Sequence, residues 1–499
     1  MSDVLIAHSF FLKNDPKQVQ KMKPYPPLGT LYAASFLRQA GYSVVLFDAM
    51  LAGGVDEYEE LLERDRPRVA VFYEDLFHFL NKMCLRHSRE ALCQMSEMAR
   101  KRGACVMAAG ADASDHPEIY FARGVQFVLV GEAEHTLLDL LEAWRAGGQA
   151  MENVHGIAVP DGSAPQGVRR TPPRLPERNA DVFPFPAWDL LDVERYRRAW
   201  KQAHGYFSLN MVSTRGCPFH CNWCAKPIWG QRYAMRSPAN VAEEMALLKR
   251  TAQPDHIWFA DDIFGLQPKW VIEFAREVER RDASIPFMIQ SRVDLMTAQA
   301  VDALAAAGCA EVWLGAESGS QRILDAMDKG TKAASIFEAR KLLLRRGIRA
   351  CFFVQFGYPG ETMEDIRATV NMIRETLPDG IGVSVSNPLP GTKFHEMVKL
   401  QLGEKDHWDD SNDLAMMFQG TYQTGFYRKL HKLLHRDLEV RHRLEARPDS
   451  EETLREQSEL NALWLELEEM EAAARSENPT AIDKGYVTIE SPDLSRRWN

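Results

Sequence analysis

Long apolar runs are missing from this 499-residue chain. None approaches the ~20 consecutive apolar residues that cross a bilayer, so a membrane span is excluded. The N-terminus, MSDVLIAHSFFLKND, lacks the charged start, apolar core and small-residue cleavage site of a secretion signal. It reads as the first buried strand of a cytoplasmic protein. Positive charge is not in excess: 60 Lys and Arg against 70 Asp and Glu leave a net charge of −10. That balance makes nucleic acid an unfavoured partner, though it leaves room for a local basic groove. Cysteine is sparse and unpaired in pattern. Five of the eight, Cys84, Cys93, Cys105, Cys309 and Cys351, are scattered, which excludes a disulfide framework. There is no internal repeat and no low-complexity tract. What remains is ordinary globular composition, 45% hydrophobic and 26% charged, over a length that suggests two to four domains.

Residues 1–150 alternate strand-like runs (4–7, 43–47, 69–72, 105–109, 127–130) with helical patterns (28–40, 86–102, 134–146). Gly41 and Gly103 stand where helices should stop. This alternation predicts a parallel, doubly wound sheet, with ligands at the carboxyl ends of its strands. Residues 151–205 form a proline-rich connector with one short strand near 156–159. From 206 to 397 the alternation returns. Strands are expected at 207–213, 256–259, 287–290, 311–314, 350–355 and 381–386. Ser237-Pro238 opens one intervening helix; Thr297 opens another, which Gly308 ends. Six strand–helix units predict an incomplete (β/α) barrel whose site lies at the carboxyl-end mouth. Residues 398–499 are charged and helical, with a Leu/Glu-rich pattern over 454–474 and a polar end from 477.

The remaining three cysteines crowd into one segment, Cys217-Pro-Phe-His-Cys221-Asn-Trp-Cys224, directly after the first barrel strand. A [4Fe–4S] cluster is normally held by four thiolates. Three would leave one iron open to a ligand, the mark of a reactive centre and not a closed structural one. Zinc on a Cys3His set with His220 is the plainer alternative. Structural zinc sites usually draw ligands as two separated pairs, and no second pair follows.

The C-x3-C-x2-C segment, with Trp223 before its last cysteine, resembles the hallmark of the radical SAM superfamily. The resemblance implies a [4Fe–4S] cluster on Cys217, Cys221 and Cys224. Its open iron would chelate S-adenosylmethionine, one electron would cleave the S–C5′ bond, and the 5′-deoxyadenosyl radical would abstract hydrogen from substrate. Five further segments resemble the family's strand ends in order. Phe259-Ala260-Asp261-Asp262-Ile263-Phe264 resembles F-x-D-D-x-F, whose carboxylates would receive the SAM ammonium group. Ser291-Arg292-Val293-Asp294 resembles S-R-V-D. Gly315-Ala316-Glu317-Ser318-Gly319 resembles G-x-E-S-G, its glutamate accepting from ribose hydroxyls or the methionine amine. Gly357-Tyr358-Pro359-Gly360-Glu361-Thr362 resembles G-x-P-G-E-T, with Gly357 letting backbone approach the adenine. Pro388-Leu389-Pro390-Gly391-Thr392 resembles P-x-P-G-T.

The N-terminal unit resembles the cobalamin-binding domain of B12-type radical SAM enzymes. Tyr25-Pro26-Pro27-Leu28-Gly29-Thr30-Leu31-Tyr32 matches P-P-L-G-x-L-Y, and Gly131-Glu132-Ala133-Glu134 matches G-E-x-E. The resemblance thus implies cobalamin near Leu28, Gly29, Gly131 and Glu132. It also implies methyl transfer to an unactivated carbon of a small molecule, lipid or peptide, and an electron donor such as flavodoxin or ferredoxin. The sequence departs from the pattern in three ways. It has no D-x-H-x-x-G, and His8 and His78 read as structural, so a bound cobalamin would lack a protein histidine ligand. Ala108-Ala109-Gly110-Ala111-Asp112 is poorer in glycine than the corresponding turn. Glu74-Asp75-Leu76-Phe77-His78-Phe79 is bulkier than the usual residues after the third strand. The alternatives are a radical SAM enzyme that rearranges or cyclises its substrate with no cobalamin, a methylthiotransferase, and a non-catalytic iron–sulfur or cobalamin sensor. The spread of Cys84, Cys93 and Cys105 and the helical tail argue against the methylthiotransferase.

Overall fold

The computed structural model describes residues 2–78, 85–148, 151–226, 228–402, 414–448 and 451–475. Strands β1 (Val4–Ala7), β2 (Val44–Phe47), β3 (Val69–Tyr73), β4 (Cys105–Ala109) and β5 (Phe127–Leu129) pair in parallel, in the order β2-β1-β3-β4-β5. β1, β3 and β4 are buried along their whole length, as the apolar runs of a sheet covered on both faces require. Two antiparallel strands from the proline-rich segment, β6 (Ile157–Pro160) and β7 (Val168–Arg170), extend the edge beyond β5. Helix α1 (Pro16–Lys21) follows β1, and α2 (Leu28–Gln39) packs a nearly continuous apolar face on the sheet.

The connector is more structured than its prolines suggest. Helix α3 (Val193–His204) was not expected, because its apolar stripe is only Tyr196 and Trp200, one turn apart. Asp192 caps it through the Arg195 N–H, and Gly205 ends it. Both aromatic residues join the N-terminal unit. Tyr196 Oη donates to Asp48 at 2.7 Å and Trp200 Nε1 to the Pro24 carbonyl at 2.6 Å. Tyr25 is packed between Trp200 and Trp258, so one apolar core runs through both units.

The second unit is an open parallel sheet of six strands: β8 (Ser208–Met211), β11 (His256–Phe259), β12 (Phe287–Ser291), β13 (Cys309–Glu317), β14 (Arg349–Phe356) and β15 (Gly380–Val385). A two-stranded ribbon of β9 (Thr214–Arg215) and β10 (Ala234–Met235) stands beside it. Each strand lies within three residues of its expected place. Ser237 and Thr297 cap their helices as read, through the N–H groups of Asn240 and Ala300, and Gly308 closes the second at φ 98°. The fold class is therefore the expected one, a doubly wound unit, a partial (β/α)6 barrel and a helical end. That end is α4 (Thr424–Ala446) packed on α5 (Glu451–Glu469), with α4 also against β15. Cys84, Phe79 and the polar stretch from 477 lie outside the described residues. Among the described residues, no helix is long and apolar enough to cross a membrane.

Candidate active site

The cysteine loop leaves β8 and is fixed before it reaches its first cysteine. Asp261, at the end of β11, accepts four hydrogen bonds: from the Ser213 N–H (2.8 Å) and hydroxyl (2.7 Å), and from the Thr214 N–H (2.7 Å) and hydroxyl (2.9 Å). Burial pushes its carboxyl up to about 6 against these bonds. Asp261 is thus saturated by the loop and does not face the barrel mouth, which departs from its expected contact with SAM. Asp262, its neighbour, does line the mouth. Gly216 follows with φ 77°. A Cβ there would stand 2.3 Å from the Arg232 carbonyl oxygen, so the turn demands glycine.

Beyond that turn, Cys217, Cys221 and Cys224 line a cavity of about 1160 Å³ together with Trp223, Asp262, Ser291, Arg292 and Glu317. Four strand-end segments that are far apart in sequence thus contribute to one wall, as a barrel mouth requires. All three thiols are free and partly buried. Burial pushes Cys217 above its ordinary value and Cys224 up to about 12, so these thiols need a bound metal to hold them ionised. Arg292 lies over the Phe219 ring at 3.7 Å, is paired with Asp294 at 2.9 Å and donates to the Lys329 carbonyl at 2.9 Å. Its Nη1 is 4.0 Å from Cys221 Sγ, which places a cation beside the thiols.

Lys329 also lines the cavity, and sequence reasoning missed it. Its Nζ donates to Glu317 Oε1 at 2.8 Å, with both side chains buried. Burial alone would lower this ammonium; Glu317 overrides it and holds it above the ordinary lysine value. Glu317 sits at φ 58°, a left-handed conformation that costs a glutamate free energy and is typical of functional sites. Among the described residues, two buried polar atoms of the lining have no partner, Trp223 Nε1 and Asn387 Oδ1. A donor and an acceptor are thus left for a polar ligand such as SAM.

Other expected positions fall elsewhere. Gly357 donates its N–H to Glu361 at 2.6 Å, and the space beside its Cα is filled by Met416 and Tyr427. It is covered by the C-terminal region and is not open to an adenine. Leu28 is fully buried core. Gly29 donates to Asp75 at 3.0 Å, and a Cβ there would meet the backbone of Leu76, so it lets α2 approach the loop after β3. Glu132 accepts from Arg215 (2.8 Å), Trp229 Nε1 (3.0 Å) and the Glu177 N–H (2.6 Å), joining three parts of the chain. Gly131 lines a second cavity of about 360 Å³ that also touches Cys221, Cys224 and the exposed His220.

The donor set fits an iron–sulfur cluster: three thiols on one wall, a nearby cation, and orphaned polar atoms for the ligand of the open iron. Among the described residues, no three cysteine, histidine or carboxylate groups are drawn together as a single-ion site. A corrinoid fits less well. At the carboxyl edge of β1, β3 and β4 the described residues leave a crevice of only about 30 Å³, lined by Ser9, Glu74, Arg89, Gly110, Asp112 and Tyr120. Arg89 and Tyr120 bond Asp112 across it. Phe77 stacks on Trp229 at 5.3 Å and His78 meets Trp258 edge-on, which fills the seam between the two units. Among the described residues this edge is closed, so seating a corrinoid there requires the seam between the two units to open. His8 and His78 are both buried, and His8 lies 2.9 Å from Asp48.

Residues 211–373 match the family model of the radical SAM superfamily. The chain carries a radical SAM domain. That domain implies the [4Fe–4S] cluster and S-adenosylmethionine. An uncharacterised methyltransferase of Pyrococcus horikoshii is 26% identical over 375 residues, 74% of this chain and 78% of that one. Two solved structures share the fold. The radical S-adenosylmethionine methyltransferase TsrM of Kitasatospora setae, with cobalamin and a [4Fe–4S] cluster bound, has a TM-score of 0.63 at 21% identity over 80% of this chain and 75% of that one. The cobalamin-dependent S-adenosylmethionine radical enzyme OxsB, with aqua-cobalamin bound, has a TM-score of 0.71 at 17% identity, covering 95% and 76%.

Proposed function

We propose that this radical SAM enzyme installs a methyl group on a carbon of a small-molecule substrate, the methyl coming from one S-adenosylmethionine, which leaves as S-adenosylhomocysteine, and the hydrogen being removed by the 5′-deoxyadenosyl radical of another. The observation that carries the reading is one wall on which three free thiols meet Arg292, Glu317 and Lys329. At about 1160 Å³ the cavity exceeds the roughly 300–1,000 Å³ of an ordinary ligand pocket, as SAM and a second molecule side by side require. Cys217, Cys221 and Cys224 hold the cluster and leave one iron to SAM. When bound, the cluster supplies the electron that splits the S–C5′ bond of SAM. Asp262 accepts from the SAM ammonium group, and Glu317 from its hydroxyls. Lys329 keeps Glu317 in place, and Trp223 and Asn387 offer an N–H and a carbonyl oxygen to the same molecule. Trp313 and Phe353, ring centroids 4.8 Å apart, seat the substrate and exclude water. An external one-electron donor such as flavodoxin or ferredoxin is required.

The methyl group as the transferred unit is supported by the methyltransferase of Pyrococcus horikoshii and by the fold shared with TsrM. A second reading, radical rearrangement or cyclisation without methyl transfer, is favoured by the filled crevice between the two units. One experiment separates them. The protein is reconstituted anaerobically with iron and sulfide, with or without hydroxocobalamin, and given SAM and a reductant. 5′-Deoxyadenosine and S-adenosylhomocysteine are then quantified by mass spectrometry. Both products, with S-adenosylhomocysteine dependent on cobalamin, support methyl transfer. Deoxyadenosine alone supports the second reading. Neither product from a protein with full iron content overturns both. Cys217→Ala, Cys221→Ala and Cys224→Ala should each abolish iron retention, whereas Cys309→Ala should not.

A further inference from the structure

The barrel strands stack their inward residues in layers, and two adjacent layers are unusually bare. The register sets Gly315 of β13, Phe353 of β14 and Gly382 of β15 side by side. One layer further from the mouth, Gln290 of β12, Trp313 of β13, Cys351 of β14 and Gly380 of β15 align. A barrel interior is ordinarily filled by bulky branched residues. Here three of these seven positions are glycine. None of the three adopts the left-handed backbone that would call for glycine. A glycine inside a strand weakens it and marks a place where something approaches the backbone closely.

The close neighbours differ. A Cβ on Gly315 would stand 2.6 Å from Lys329 Nζ and 2.8 Å from Glu317 Oε1, so this glycine makes room for the buried pair. A Cβ on Gly382 would stand 3.1 Å from the Phe353 ring and 3.3 Å from the Trp313 ring, so here the two rings lie against the strand. Their centroids are 4.8 Å apart and their planes 30° from parallel. Trp313 Nε1 donates to Glu311 Oε1 at 2.7 Å, and Glu311 Oε2 meets Arg349 at 3.3 Å, which fixes the indole from behind. Both rings are only half-buried, and both line the cavity that holds the cysteine loop. Among the described residues, no third ring stacks on either of them. Gln290, beside Trp313 in its layer, lines the same cavity. Its side-chain amide makes no hydrogen bond among the described residues.

We infer that the substrate is a planar unsaturated ring system, with its face on Phe353 and Trp313 and a polar atom of its edge toward Gln290. Aromatic faces attract a further ring, offset or edge-on, beyond what the buried area alone supplies. A puckered saturated ring of the same carbon skeleton gains none of that attraction and cannot lie flat on the pair. Glu317 follows two residues after Gly315 on β13, toward the mouth, so a ring seated here lies next to a molecule held at the cysteine loop. This deepens the proposed function and rests on its reading of the cavity as the active site.

The test uses the full-length protein, reconstituted anaerobically with iron and sulfide, and isothermal titration calorimetry. The probes are 2-naphthol and decahydro-2-naphthol. They share a carbon skeleton and a hydroxyl, and only the first is planar. The saturated probe is no less apolar, so partition into an apolar cavity gives the planar one no advantage. 2-Naphthol should bind with a Kd at least about threefold lower, the scale of a ring-stacking gain. Phe353→Leu keeps an apolar side chain and removes the ring face. It should lose the preference while still binding the saturated probe, which shows that the cavity remains folded. If that variant fails to fold, Phe353→Met reads the same loss. No binding of 2-naphthol to the wild type, equal binding of the two probes, or a preference that survives in the variant each overturns the inference. Deoxyadenosine formation is measured in parallel. A planar preference without SAM cleavage sinks the enzymatic reading and leaves the ring site standing; SAM cleavage without planar preference does the reverse.

Discussion

Arg215 Nη1 reaches Glu132 Oε1 across the seam between the two units at 2.8 Å, with both side chains at 4% exposure. Glu134 accepts from the same nitrogen at 2.8 Å, and the Phe183 ring lies 3.6 Å from the guanidinium carbon. Arg215 stands two residues before Cys217, so this joint couples domain docking to the cysteine loop. Removing one partner of a buried pair leaves an uncompensated charge and costs about 3–5 kcal/mol. Arg215→Met should lower the urea midpoint accordingly and reduce iron retention. The combined Arg215→Met, Glu132→Gln, Glu134→Gln protein should recover part of the loss. If Arg215→Met unfolds at the wild-type midpoint, the joint contributes nothing.

Arg292 should set the electronic properties of the centre more than its presence. Its cation is 4.0 Å from Cys221 Sγ and is fixed by Asp294, Lys329 and Phe219. Positive charge and hydrogen bonds at the sulfurs favour the reduced cluster. Arg292→Gln should therefore shift the midpoint potential downward. For a one-electron couple, a tenfold change in the reduction equilibrium is about 59 mV, which is the scale expected. An EPR-monitored potential titration reads it. An unchanged potential at full iron content would show that the guanidinium is only a packing element.

Glu361 predicts a pH dependence of stability. It is fully buried, its Oε2 accepts from Gly357, and its Oε1 has no partner among the described residues. Burial pushes its carboxyl up to about 8. In the unfolded chain it titrates near its ordinary value of about 4.3. Between those values the folded state binds the extra proton, so stability falls as pH rises through that window and levels off above about 8. Glu361→Gln removes the titrating group and keeps the acceptor for Gly357. Its melting temperature relative to wild type should rise steadily from pH 5 to pH 8. A constant offset would mean that Glu361 is ionised in the folded protein.

Sequence carried some of this site and hid the rest for physical reasons. The three thiols were legible because their spacing is local, within one loop. Asp261 and Asp262 were legible only as a pair. Neighbouring residues at a strand end point to opposite sides, and only the fold decides that Asp261 ties the loop while Asp262 faces the cavity. Lys329 was invisible because its partner Glu317 is 12 residues away and its burial is tertiary. Gly357 misled because a turn glycine serves equally to admit a ligand or, as here, Met416. The strands were predictable from runs of apolar residues. Helix α3 was not, because two aromatic residues among charges carry its whole buried face. Helix α4 was legible as a helix, but the meeting of its basic face with Lys17 depends on docking.

The turn at Gly216 offers the sharpest test that the cysteine loop is pre-shaped by the fold. A side chain at φ 77° pays the left-handed penalty of roughly 1–2 kcal/mol. Worse, its Cβ would lie 2.3 Å from the Arg232 carbonyl oxygen and 3.0 Å from Trp229 Cβ. Backbone on both sides must move, and Asp261 holds Ser213 and Thr214 from yielding on one side. The displacement therefore falls on Cys217, the next residue. Gly216→Ala should fold with a slightly lower melting temperature yet retain less than half the wild-type iron and sulfide. Gly360→Ala, a second left-handed glycine away from the loop, should lose similar stability and keep its iron. Equal iron content in the two variants would mean that the loop reshapes freely around its ligand.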